Sequence, residues 1–112
     1  MEKLQIKTKG KTYVINIADI LYCQASGAYT NVVLIDGRVV MASANLSKLH
    51  SKIDFYTGMF RVSQSILVNM MHIVCIHHHD KRLELIEQIS VSFTVTIKEI
   101  EDRLEYLIGR VG

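Results

Sequence analysis

The chain has 112 residues, 49% hydrophobic and 21% charged, with a formal net charge of +2 and a sequence pI near 8.6. This composition can fill the core of one domain spanning 1–112 and excludes a disordered segment. The mild basicity leaves any phosphate binding to charge gathered on one face.

No stretch approaches the roughly 20 apolar residues of a membrane helix. The start, Met1-Glu2-Lys3-Leu4-Gln5-Ile6-Lys7, alternates charged with apolar residues and lacks a signal-peptide core, so a cytoplasmic location is expected. The absence of proline argues against a rigid linker within the chain.

In chain order, Leu4-Gln5-Ile6-Lys7 alternates with period two, Lys9-Gly10-Lys11 turns, and Tyr13-Val14-Ile15-Asn16-Ile17 returns as a hairpin. Ala18-Asp19 breaks that run. Residues 20–25 read as a third strand, Ser26-Gly27-Ala28 as a loop, and residues 29–35 as a β-branched strand. Asp36-Gly37 is a two-residue hairpin signal, and residues 38–42 return. The period then changes. Leu46, Leu49 and Ile53 fall at i, i+3 and i+7, a short amphipathic helix with Ser43 or Asn45 as cap. Residues 60–69 begin as a strand and pass through a small polar patch at Ser63-Gln64-Ser65. Residues 73–76 and 83–86 are strands around the turn His78-His79-Asp80-Lys81, and Ile89-Ser90-Val91 is a last short strand. Ile97, Ile100, Leu104, Leu107, Ile108 and Val111 recur at helical spacing. Lys98, Glu99, Glu101, Asp102, Arg103 and Glu105 occupy the other face, and Thr94 or Thr96 is the cap, Thr96 with Glu99 having capping-box spacing. The fold class is therefore mainly β, an α+β arrangement with one small inserted helix and one C-terminal helix.

Little in the chain points to catalysis or cofactors. Cys23 and Cys75 each lie in an apolar run and read as buried free thiols. His77-His78-His79-Asp80 lacks recognised metal-ligand spacing. Neighbours on a strand point to opposite faces, so the cluster reads as a solvated hairpin tip, with no metal or cofactor expected. Ser63 sits in Val-Ser-Gln-Ser and not in a nucleophile elbow, and no glycine-rich phosphate loop is present, so no catalytic residue is assigned.

The run Phe60-Arg61-Val62-Ser63-Gln64-Ser65-Ile66-Leu67-Val68-Asn69 resembles the central motif of the LytTR family of bacterial DNA-binding domains, Phe-Arg-Val-His-Arg-Ser-(Tyr/Phe)-(Ile/Leu)-Val-Asn. The flanks are similar in order: Asp19-Ile20-Leu21-Tyr22-Cys23-Gln24-Ala25, the loop at Ser26-Gly27-Ala28-Tyr29-Thr30, the small helix before Phe60, and Ile89-Ser90-Val91-Ser92 before the final helix. The resemblance covers nearly the whole chain. It implies an elongated fold of about ten short strands with small helices. It further implies a transcriptional regulator, stand-alone or the output domain of a two-component response regulator behind a receiver domain, with two protomers on paired repeats of double-stranded DNA.

In that family, loops between strands enter the major grooves, with a minor-groove contact between them. The resemblance maps those loops onto Tyr29, Thr30 and Asn31, onto Ser63, Gln64 and Ser65, and onto Ser92, Phe93 and Thr94. Arg61, Lys81 and Arg82 join them as phosphate-binding candidates, with Arg61 read alternatively as an anchor that bonds strand carbonyls. The chain departs from the pattern where Ser63-Gln64 replaces His-Arg and where Phe93 replaces an arginine. Gln64 keeps a bidentate edge for adenine, and Phe93 either meets a thymine methyl or packs inward. Asn69 reads as a turn-fixing side chain. The competing reading is a protein-interaction module on the same fold, using a sheet edge or the terminal helix as its interface.

Overall fold

The computed structural model describes residues 2–111; Met1 and Gly112, the two ends of the expected 1–112 domain, lie outside the described residues. Among the described residues ten strands form: β1 (Lys3–Thr8), β2 (Lys11–Asn16), β3 (Ile20–Ser26), β4 (Tyr29–Leu34), β5 (Val39–Ala42), β6 (Met59–Ser63), β7 (Ile66–Asn69), β8 (Ile73–His77), β9 (Arg82–Leu85) and β10 (Ile89–Ser92). The helices are α1 (Leu46–His50) and α2 (Ile97–Ile108). The molecule is elongated, 48 × 29 × 25 Å, and no helix among the described residues is long and apolar enough to cross a membrane.

The centre is a five-stranded antiparallel sheet in the order β5-β4-β3-β7-β6. Side chains alternate across it, so it separates two cores. On one face, Cys23, Val32, Leu34, Val40 and Leu67 pack against Leu4 and Ile6 of the β1–β2 hairpin and Leu46 and Leu49 of α1. On the other, Ile66 and Val68 pack against Leu83, Leu85 and Val91 of the three-stranded sheet β10-β9-β8 and Ile100 of α2.

The polar patch at 64–65 divides the 60–69 run into β6 and β7, with a register shift between Arg61 and Ser63. Asn69 acts as the expected turn-fixer. Its Nδ2 donates to the carbonyls of Ile17 (3.3 Å) and Ile20 (2.9 Å), and its Oδ1 accepts from the Met71 amide at 3.0 Å. Gly58 ends the preceding turn at φ 94°, a conformation that favours glycine, and a Cβ there would press on Met71 Cγ at 3.1 Å.

Several expectations need correction. Ile17 leaves the strand and opens a 3-10 turn, Ile17–Asp19. Asn45, not Ser43, caps α1, accepting from Lys48 N at 2.8 Å; Ile53 lies beyond that helix, although it is buried. Of the two candidate caps for α2, Thr96 serves, in the full capping box with Glu99 that its spacing suggested. Ile108 and Val111 are exposed, because α2 stops at Ile108 and Gly109 turns the chain away. Arg103 leaves the wet face. Its guanidinium stacks 3.7 Å over the Phe55 ring and donates to the Phe55 carbonyl at 3.0 Å. Cys23 is buried, but Cys75 is exposed.

Candidate nucleic-acid interface

Three connections meet at one end of the two larger sheets. The β3–β4 turn places Ser26 opposite Tyr29. The Ala25 amide, one residue earlier, donates to the carbonyl of Ser65 in the β6–β7 turn at 2.8 Å. From the other side of that turn, the Val62 carbonyl accepts the amides of Thr94 (2.9 Å) and Val95 (3.2 Å) in the segment between β10 and α2. The β8–β9 turn joins the same end, where the Phe93 amide donates to the Lys81 carbonyl at 3.0 Å. A continuous backbone-bonded rim therefore runs from Tyr29 through residues 63–65 to Thr94 and Lys81.

Along this rim, Tyr29, Gln64, Ser65, Ser92 and Thr94 are exposed, while Asn31 and Ser63 are half-buried. Two predicted residues are not at the surface. Thr30 is wholly buried and its Oγ1 donates to the Ala44 carbonyl at 2.8 Å, because strand alternation turns it inward between Tyr29 and Asn31. Phe93 is 2% exposed. Its ring packs in the second core, leaving only the loop backbone beside it on the rim. Burying a ring of that size stabilises the fold by about 1.5–3 kcal/mol, which outweighs a single surface contact to a thymine methyl.

The basic candidates brace the loops. Arg61 Nε donates to the Ser63 carbonyl at 3.2 Å, Nη2 donates to the Gln64 carbonyl, and Nη1 donates to Ser47 Oγ at 3.1 Å. Arg61 therefore fixes the backbone from which Gln64 projects. Lys81 Nζ donates to the Val95 carbonyl at 3.0 Å and lies 5.2 Å over the Phe93 ring. Arg82 donates to Ser90 Oγ at 3.0 Å and pairs with Asp80 at 3.6 Å.

The exposed Lys48 of α1 was not among the sequence candidates. The Arg61–Ser47 bond and the Thr30–Ala44 bond tie the β5–α1 segment to residues of the rim, and Lys48 follows Ser47 in the chain. The available signal was the lack of any acidic residue between Asp36 and Asp54.

Acidic residues are segregated from the three loops. None occurs between Asp19 and Asp36, between Asp54 and Asp80, or between Glu87 and Glu99, and these intervals hold the three loops. Asp19, Asp36, Asp54 and Glu87 instead border the opposite ends of the strands, next to Ile20, Leu34, Met59 and Ile89. There the Arg38 backbone amide and guanidinium hold the Asp36 carboxyl below its usual range. Asp80 lies in the β8–β9 turn beside Lys81, where Arg82 pairs with it at 3.6 Å, and the Glu99 carboxylate is engaged in capping Thr96. At the end of α1, burial and the nearby guanidinium groups of Arg61 and Arg103 push His50 below its usual value. A modest net charge thus resolves into a donor-rich end whose three loops are free of acids and an acidic opposite end.

Among curated proteins, none matches this chain. Among solved structures, the chain is similar to the LytTr DNA-binding domain of a Bacillus cereus protein described as a methyl-accepting/DNA response regulator. The TM-score is 0.72 at 17% identity, covering 98% of this chain and 99% of that one. That likeness establishes the mainly β fold. The LytTr DNA-binding domain family itself matches residues 10–96, a span that holds every rim segment, and the chain belongs to this family of DNA-binding, not enzymatic, domains.

Proposed function

We propose that the rim is the DNA-reading surface and that it reads sequence, in a transcriptional regulator whose two protomers occupy paired repeats. Gln64 is the principal base reader. Its amide has the donor–acceptor edge that matches adenine in the major groove, and Arg61 holds its backbone in place. Tyr29, Ser65, Ser92 and Thr94 bond the sugar–phosphate backbone from either side, and Asn31 lies one step behind Tyr29 on the same face. Lys48, Arg61, Lys81 and Arg82 supply the phosphate term. The resemblance to response-regulator output domains supports a receiver domain as the partner that controls this surface.

The observation that carries the reading is the bonding of three acid-free loops into one edge through Ala25–Ser65 and Val62–Thr94. An edge used only for protein contact has no need to exclude carboxylates.

Fluorescence anisotropy of labelled duplexes tests it. Selection from a random duplex pool first provides a preferred site. Affinity is expected to fall with salt by about 0.9 in log K per log unit for each phosphate neutralised. Gln64→Ala is expected to cost about 1–3 kcal/mol on the selected site and little on random duplex. Equal loss on both would remove the reading role from Gln64. No binding at low salt by a chain that remains folded would favour the interaction-module reading.

A further inference from the structure

On the outer face of the three-stranded sheet, next to the β8–β9 turn, Cys75, His77 and Glu84 bring a thiol, an imidazole nitrogen and a carboxylate oxygen within 4.8 Å of one another. The backbone explains how they meet. Ile73 pairs with Leu85 and Cys75 with Glu84, so β8 carries one extra residue, Val74, at a bulge. In an unbroken ladder Cys75 would share a face with Ile73, which packs against the second core. The bulge flips the strand's remaining side chains, so Ile76 packs inward while Cys75 and His77 turn outward beside Glu84.

We propose that Cys75, His77 and Glu84 form a site for a zinc-class divalent cation, with three protein ligands and water completing the tetrahedron. The donor set is a thiolate, an imidazole and a carboxylate, the mixture a borderline-soft cation accepts. The spacing suits it. His77 Nε2 and Glu84 Oε1 are 3.0 Å apart, close to the roughly 3.3 Å that two ligands at about 2.0 Å span in a tetrahedron. All three residues are accessible to solvent; binding requires the His77–Glu84 contact to open by a few tenths of an ångström and the three donor atoms, within 4.8 Å of one another, to draw in on a common centre. Neighbouring groups leave the site free. Arg82 is drawn off by Asp80 and Ser90, and His78 lies 3.9 Å from Glu101 on α2. Cys23 is no competitor, since burial pushes its thiol up to about 12. The proposal does not depend on the duplex-binding reading.

Titration of the intact chain with Co2+, in a non-thiol reductant, tests the site directly. The expected result is a thiolate-to-cobalt charge-transfer band that saturates at one equivalent and is bleached by zinc. Cys75→Ser is expected to abolish the band. His77→Asn and Glu84→Gln are each expected to weaken binding by at least the roughly 10-fold that loss of even a supporting partner costs. His79→Ala, in the exposed turn, should leave it unchanged. If Cys75→Ser does not fold, alkylating Cys75 in the folded wild-type chain must remove the band instead. No band at millimolar cobalt, a band that survives loss of Cys75, or binding that depends on His78 and His79 would each overturn the proposal.

Discussion

Asn69 shows how much of this fold rests on single polar side chains. It is buried, and it satisfies two carbonyls of the Ile17–Ile20 segment and the Met71 amide together. Asn69→Ala strips partners from groups water cannot reach, and is expected to cost about 1–3 kcal/mol in urea unfolding; a loss below about 0.5 kcal/mol would show that the carbonyls find other donors.

His50 makes a second residue-scale prediction. Burial, Arg61 and Arg103 hold its folded value below the ordinary 6.5, so the unfolded chain takes up the proton first. Stability is then full above about pH 6.5 and declines as the pH falls towards the depressed folded value. His50→Gln is expected to flatten that decline in chemical unfolding measured from pH 7 to pH 5; an unchanged slope would assign it elsewhere. The turn-fixing role of Asn69 was readable from residue type. The site assignments of Thr30 and Phe93 failed because membership in a mapped segment does not fix which way a side chain points: alternation turns Thr30 inward, and Phe93 takes the inward packing that was the alternative to a thymine contact. Cys75 was misjudged for a related reason: its apolar neighbours suggested a core strand, and the bulge at Val74 reverses the faces.

Among the elements, those with clear periodicity were the legible ones. Alternation marked β1, and helical spacing marked α1 and most of α2. The capping box of α2 was visible as Thr96 and Glu99, and both halves form: Thr96 Oγ1 accepts from Glu99 N at 3.1 Å, and Thr96 N donates to Glu99 Oε2 at 2.8 Å. Thr96→Ala is expected to cost about 1 kcal/mol, read as a lowered melting temperature with native far-ultraviolet circular dichroism. A melting temperature equal to wild type would mean that packing of Ile100 alone fixes the helix start. The end of α2 was less legible, since periodicity carries on through Val111 whereas the helix stops at Gly109. Bulges were illegible throughout. An extra residue in a strand leaves no mark on composition and shows itself only in the register of its partner.

At the scale of the whole molecule, the net charge of +2 conceals its own distribution. The spacing of the acids lies in the sequence, but what it means depends on knowing which strand ends lie together. That order comes from the β5-β4-β3-β7-β6 sheet and the bonds that tie it to the three-stranded sheet. The loops themselves were identified through the family motif and not through charge. On the proposed reading, residues 26–31, 61–65 and 92–96 engage a duplex together. Amide chemical-shift mapping by NMR during titration with a selected duplex measures this most directly. The account predicts that the largest shifts fall on all three segments and on Lys48 and Lys81, while Asp19, Asp36 and Glu87 at the opposite end stay still. Shifts centred on that acidic end or on the outer face of α2, with the three segments unmoved, would contradict it.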